Sequence, residues 1–274
     1  LFFKISDVLF FLNTIFSKKG EMNMGTRRDE RLNRIRQLLD EKEKMRTSEI
    51  ARMLNVTPET IRHDLNTLED MNLVRREHGW VTRVSSLVEL PILERGKENT
   101  EDKRRASWRA MQEISDGMVV FLDSGSTVLA GLPFLTGRKD VTIVTNSIPL
   151  AYQGGRLNLN LVLCGGTLMN IGLRTVGADP VQMIAHFNFD LAVLGTDGIF
   201  HSSGFTTLDY SEVPIKNYLA IHAARSIVVA DASKFNKKAS CSFCTYHEID
   251  TLITNPLTEE QRTQVKDVPH VIEI

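Results

Sequence analysis

Cysteine is scarce, with three in 274 residues. That odd, low number excludes a disulfide scaffold and, with no signal-peptide cleavage pattern, points to a reducing cytoplasm. An excess of charge of one sign is also missing. The formal net charge is -1, so any nucleic-acid contact must come from a local basic surface rather than a global field. Long hydrophobic runs are absent too. The most apolar stretch, Leu1 to Phe16, holds eleven large apolar residues but is interrupted by Lys4 and Asp7. A bilayer crossing needs about 20 mostly apolar residues, so no membrane partner is expected. The chain opens on Leu, and Met22 and Met24 precede the first strongly patterned segment. Residues 1–23 are therefore expected to be an upstream-translated or non-native extension. With 42% hydrophobic and 24% charged residues, the remainder reads as ordinary globular protein. At about 150 residues per domain, two domains are expected.

What is present first is helical periodicity. Leu32, Ile35, Leu38 and Leu39 form one stripe over residues 29–41. Thr47 or Ser48 is a suitable cap for a second helix carrying Ile50, Met53 and Leu54 inward, with Ala51 small where helices must cross. Asn55 tolerates a left-handed turn, Thr57 caps a third helix, and Pro58 sits in its first turn, where the missing N–H costs nothing. This is the spacing of a helix-turn-helix. A 3.6-residue period buries Ile61, Leu65 and Leu68 and leaves Glu59, His63 and Asn66 opposite, flanked by Thr60, Arg62 and Thr67. Arg pairs with guanine, Asn with adenine and Thr with a thymine methyl or a phosphate, so this face suits a major-groove reader. Residues 73–82 read as two strands around Gly79, a wing whose Arg75 and Arg76 are placed for phosphates. Charge decides little, since residues 24–86 are net +2. Residues 24–84 are thus a candidate winged helix-turn-helix DNA-binding domain, and 85–98, with Pro91 and Gly96, a linker.

Residues 99–274 change character. Asn99 or Thr100 should cap a helix, after which strands at 119–123, 141–145, 159–164, 191–195 and 227–231 alternate with helices. That alternation predicts an α/β domain with a mostly parallel sheet. Each strand is followed by a polar loop: Asp123-Ser124-Gly125-Ser126-Thr127, Thr145-Asn146-Ser147, Gly165-Gly166-Thr167, Gly195-Thr196-Asp197-Gly198 and Asp231-Ala232-Ser233-Lys234. Carboxyl ends of parallel strands share one rim, where ligands bind. Gly125 lets backbone N–H groups approach an anion, Ser126 and Thr127 add hydroxyls, and Lys234 supplies a cation. Asp123, Asn146 and Asp197 suit sugar hydroxyls.

Both halves carry a family resemblance. Arg28-Asp29-Glu30-Arg31-Leu32, Ser48 to Leu54, Thr60-Ile61-Arg62-His63-Asp64-Leu65 with Leu68-Glu69, and Arg75-Arg76-Glu77-His78-Gly79 resemble the DeoR family of bacterial sugar-metabolism repressors. So do Asp116-Gly117, Asp123 to Thr127, Thr145-Asn146-Ser147, Gly165-Gly166, Gly195 to Ile199, Gly204 to Thr207, Glu212, Lys216 and Asp231 to Phe235. The sequence departs from that pattern at His63 (usually Arg), Trp80 (usually Gly), Thr196 (usually Ala) and Pro214. The resemblance implies a sensor fold related to ribose-5-phosphate isomerase, a phosphorylated sugar as effector, and repression of a double-stranded operator. Glu212, Lys216 and Gly198 join the expected effector residues on that ground. One helix reads few base pairs, so a homo-oligomer is expected. No cofactor is expected.

Two other classes compete. A sugar-phosphate isomerase would cast Asp123, Asp197, Glu212 and Lys216 as acid and base groups, but fold analogy alone does not warrant function. Metal or redox sensing would use Cys241, Cys244 and His247, yet structural zinc needs four ligands, and residues 239–246 alternate like a strand.

Overall fold

A computed structural model describes residues 27–42, 44–70, 73–83, 89 and 91–274. The expected extension over 1–23 lies outside them. Contacts divide the chain into two units, with the break after Arg83.

In the first unit, α1 (Arg27–Lys42) buries Leu32, Ile35, Leu38 and Leu39 as its stripe predicts. A strand the sequence did not announce follows, β1 (Lys44–Arg46), and runs directly into α2 (Thr47–Met53). Arg46 therefore occupies the cap position and offers no side-chain cap. Thr47, expected as a cap, instead donates its N–H and hydroxyl to Gly79 O at 3.0 and 3.3 Å. Ile50 and Ala51 are buried, but Met53, expected inward, is 49% exposed. Asn55 does adopt positive φ (51°). Thr57 caps α3 (Pro58–Asp70) by accepting the Thr60 N–H at 3.2 Å. The wing is β2 (Val74–Glu77) and β3 (Trp80–Arg83), joined by His78 and Gly79, both at positive φ, as a two-residue type I′ hairpin requires. β1 pairs with β3 to complete a three-stranded sheet.

The second unit is built on a seven-stranded parallel sheet. Its strands are β4 (Val119–Leu122), β5 (Thr142–Thr145), β6 (Asn160–Leu163), β9 (Leu191–Gly195), β12 (Ser226–Val229), β14 (Thr251–Thr254) and β15 (His270–Glu273). The spatial order is β15-β14-β12-β9-β4-β5-β6. All five expected strands are present, and β14 and β15 extend them. Side chains alternate between two cores. Phe121, Ala192, Leu194 and Val228 face one layer, and Val120, Leu122, Val193 and Val229 face the other. Burial on both faces explains why these strands read as continuous apolar runs instead of alternating ones. The helices α6 (Ser126–Gly131), α7 (Ile148–Arg156), α8 (Ala178–Ile184) and α9 (Val213–His222) lie between these strands, as the alternation predicts.

Further elements complete this unit, of which only the strand within residues 239–246 was anticipated. A hairpin joins β7 (Thr167–Met169) to β8 (Arg174–Val176), and a small sheet pairs β10 (Gly198–Ile199), β11 (Phe205–Thr207) and β13 (Cys241–Cys244). Within the expected linker, Ile92–Lys97 form a helix, α4, that buries Ile92 and belongs to the second unit. The next helix is α5 (Thr100–Met111). Asn99 precedes it at positive φ and does not cap it, because its amide donates instead to Asp231 Oδ1 (3.0 Å) and Ser233 Oγ (3.1 Å).

The chain leaves β4 for β5 and β6 on one side, then returns to β9 on the other. The switch point of the sheet is therefore the β4–β9 seam, where an open α/β sheet leaves a crevice beyond its strand ends.

Candidate functional site

The first surface is the outer face of α3. Arg62, His63, Asn66 and Glu59 are exposed opposite buried Ile61, Leu65 and Leu68, as the periodicity predicts. Asp64, one turn inside, is buried and accepts from Arg31 (Nε 2.5 Å, Nη2 3.1 Å), which fixes α3 against α1. The hydroxyls of Thr57 and Thr60 bond each other at 2.9 Å, so part of their donor capacity is spent locally. Glu59 lies 3.3 Å from Arg62 and 3.7 Å from His63.

A groove of about 790 Å³ separates α3 from the wing, lined among others by Arg46, Arg62, Asn66, Arg76 and Trp80. The two wing arginines part company there, because successive strand residues face opposite ways. Arg76 lines the groove but is held by Glu69, with Nε at 2.7 Å. Arg75 is exposed and is not part of that lining. Two cations that sequence reasoning missed, Lys44 and Arg46, stack on Trp80 at 5.1 and 5.0 Å from the ring centroid. Their strand is only three residues long, too short to leave a periodic signal.

Arg62→Ala should lose about 1–3 kcal/mol of operator affinity at fixed salt if its guanidinium reads a base edge. Arg75→Ala and Arg46→Ala should weaken all sequences alike and each lower the salt slope by about 1. Anisotropy titrations on operator and scrambled duplexes separate the two behaviours.

The second surface is the crevice at the β4–β9 seam. Gly125 and Gly195 face each other so closely that a Cβ on Gly125 would lie 3.4 Å from Gly195 Cα. Ser126, Thr127, Asp197, Glu212, Lys216 and Lys234 line the cavity with them, together with Arg95 and Thr196. Asp123 lies beneath, accepting from the Lys216 ammonium and from Gly195 N–H (2.8 Å), while Lys216 also donates to Gly195 O (2.9 Å). Ser124 donates to Glu212 at 3.3 Å, and Thr207 donates to the other Glu212 oxygen. Thr196 is spent on the Gly198 and Thr206 carbonyls at 2.8 and 2.9 Å.

The electrostatics follow from burial. Burial opposes the Lys216 charge, but Asp123 and Glu212 outweigh it and hold the ammonium pKa above its ordinary value. Burial would raise Asp197, yet Arg95, Lys234 and the Leu208 N–H (3.0 Å) bring its pKa below the usual range. Glu212 goes the other way, raised by burial and by Asp123 and Asp197 against the pull of Lys216 and Arg174.

Six expected residues are not in this lining: Asp123 and Ser124, which bond Lys216 and Glu212 behind it, and four that lie elsewhere. Asn146 donates its amide to Thr175 O at 3.0 Å and anchors β8. Gly165 and Gly166 follow β6, two strands from β4 on the side away from β9. Gly198 is packed under the chain, where a Cβ would meet Lys237 O at 2.1 Å. The missed residue is Arg95, hidden in what reads as a linker.

Behind Arg95, Lys103 is buried and donates to the Arg95 carbonyl. Burial, then Lys234, lowers its pKa to about 8. The unfolded chain holds that proton up to about pH 10.4, so between pH 8 and 10.4 it binds more protons than the fold, and stability should rise with pH. Relative to Lys103→Met, the wild type should gain on the order of 3 kcal/mol across that window in urea melts. A constant difference would contradict the buried ammonium.

Among the described residues, no group of three or more His, Cys, Asp or Glu side chains could hold a metal ion. Cys241 and Cys244 lie on β13, and burial pushes the Cys244 thiol pKa up. No helix among the described residues is long and apolar enough to cross a membrane.

Comparison with known proteins finds a match for each of the two units. Residues 31–87 match the DeoR-like helix-turn-helix domain, and residues 98–256 match the DeoR C terminal sensor domain. The chain is 33% identical over 241 residues to the HTH-type transcriptional regulator GlpR of Haloferax volcanii, covering 86% of this chain and 94% of that protein. It is 30% identical over 227 residues to the glycerol-3-phosphate regulon repressor of Escherichia coli, covering 82% and 90%. Among solved structures, ribose 5-phosphate isomerase A of Methanocaldococcus jannaschii superposes with a TM-score of 0.39 and 20% identity, over 52% of this chain and 56% of that one. With sensor and reading domains both matched, the chain belongs to the DeoR family of helix-turn-helix transcriptional regulators.

Proposed function

We propose that the protein represses an operon for sugar or sugar-alcohol catabolism and is released by a small phosphorylated polyol bound at the β4–β9 crevice. The observation that carries this is the crevice itself. It sits at the switch point of the sheet and combines two hydroxyls, Ser126 and Thr127, with Lys234 and with carboxylates suited to sugar hydroxyls. The E. coli relative's name adds glycerol 3-phosphate to the candidates. Operator is read by α3 and the wing, with a homo-oligomer supplying repeated half-sites in cytoplasmic DNA.

The test is release of operator, followed by fluorescence anisotropy, against a panel of sugar monophosphates, sugar-alcohol phosphates and glycerol 3-phosphate. One member should release the DNA while its unphosphorylated form does not. Retention of operator with every member overturns the proposal. The raised pKa of Glu212 beside Lys216 favours acid–base chemistry as a second reading. Turnover of any panel member by the purified protein would establish that reading in place of pure sensing.

A further inference from the structure

The crevice is closed by a piece of its own chain. Its volume is about 20 Å³, little more than one water, whereas sites for small ligands run to hundreds of Å³. One wall is Arg95 of α4, whose Nη1 lies 3.5 Å from Asp197 Oδ1 and whose Nη2 donates to Glu89 Oε1 at 2.9 Å. Its Nε is buried without a partner, a cationic donor left unused at the cavity wall.

The segment carrying Arg95 is tied to the sensor by identifiable bonds, besides the burial of Ile92. Glu89 accepts two bonds from Arg174 (2.6 and 2.7 Å), Ile92 N–H donates to Ile171 O (3.1 Å), and Lys103 donates to Arg95 O. Residues 84–88 alone separate Glu89 from Arg83, the last residue of the wing.

We propose that Arg95 is both latch and ligand-binding residue, its guanidinium passing from Asp197 and Glu89 to the ligand's anionic group and loosening residues 91–97 as it does. This rests on the crevice being the anion site argued above. An unpaired Nε–H and a planar fork suit a phosphate better than two divergent carboxylates do. A ligand moves a two-state equilibrium only through its differential affinity, and here the closed state has no room for it. The latch then acts on the stretch of chain that leads into the wing, which gives the sensor a covalent route to the reading unit.

Hydrogen exchange on the full-length wild type tests this, with inorganic phosphate and glycerol 3-phosphate as probes. Binding should slow exchange at residues 124–127 and, together with that, accelerate it at Ile92, Glu94 and Arg95. Arg95→Gln should exchange fast at those three amides without ligand and bind the probes about tenfold more weakly, having lost a charge-assisted fork. Protection at 124–127 with unchanged or slower exchange at 92–95 overturns the latch and leaves the anion site standing. No protection at 124–127 with either probe overturns both.

Discussion

Arg174→Met should destabilise the sensor unit by about 3–5 kcal/mol, because a buried charge cluster loses its fully buried guanidinium and keeps its carboxylates. Arg174 is fully buried. It donates to both Glu89 oxygens and to Asp209 Oδ2 (2.7 Å), and its Nε stands 3.0 Å from Glu212 Oε1 without the alignment of a hydrogen bond. Burial opposes its charge, but Glu89, Glu212 and Asp209 outweigh that and raise its pKa. Gly172 makes room for the guanidinium, since a Cβ there would sit 1.7 Å from Nη1. Methionine matches much of the stem but none of the five donors, and even lysine would lose the planar fork. Net of its other contacts, Asp209 has a pKa lowered by Ser211 and Arg174 against the effect of burial. Its share of the stability is present above the ordinary carboxylate pKa and lost as pH falls through the lowered one. The gap between wild type and Arg174→Met should therefore narrow on acidification in urea melts. A loss below about 1 kcal/mol at neutral pH would mean that the cluster relaxes around the vacancy.

Much of the fold was legible because its signals are local. The stripe of α1, the Thr57 cap, the positive φ of Asn55 and the Gly turn of the wing each follow from a few neighbouring residues. The five central strands announced themselves as short apolar runs because both faces are covered. β14 escaped because Thr251–Thr254 is brief and bounded by Asp250 and Asn255, and β15 because its edge position leaves His270 and Val271 exposed. β1 hid between two helices, with Met45 its one buried side chain.

The candidate site was legible only in part, for a physical reason. Polar loops after parallel strands share a rim, but which loops are neighbours depends on strand order, a long-range property that no local period encodes. Asp123 to Thr127, Asp197 and Lys234 come together because β4, β9 and β12 are adjacent. Asn146, Gly165 and Gly166 follow β5 and β6, on the opposite side of β4 from β9. Arg95 was obscured by Pro91 and Gly96, which punctuate the chain as a linker would, although Pro91 only precedes the first turn of α4. Thr196, Trp80 and Pro214 depart from the family pattern and are each accommodated: two carbonyls accept from Thr196, two cations stack on Trp80, and Pro214 sits in the first turn of α9.

The most direct measurement separates sensing from DNA reading within one molecule. Ser126 lines the cavity at 9% exposure, beside Thr127 and within the group that holds Lys234 and Arg95. Ser126→Asp places a carboxylate where the ligand's phosphate is proposed to lie, replacing a hydroxyl donor by a like charge. At an effective dielectric near 20, such a repulsion is worth about 3 kcal/mol or more, a rise of about 100-fold in the releasing concentration. The reading helix belongs to the other unit, so operator affinity without ligand should stay within about twofold of wild type. Operator-bound wild type and Ser126→Asp are titrated in parallel with the panel member that releases the wild type. The account predicts release of the wild type and retention by the variant. Release of both at the same concentration would contradict it and remove the phosphate from residues 124–127.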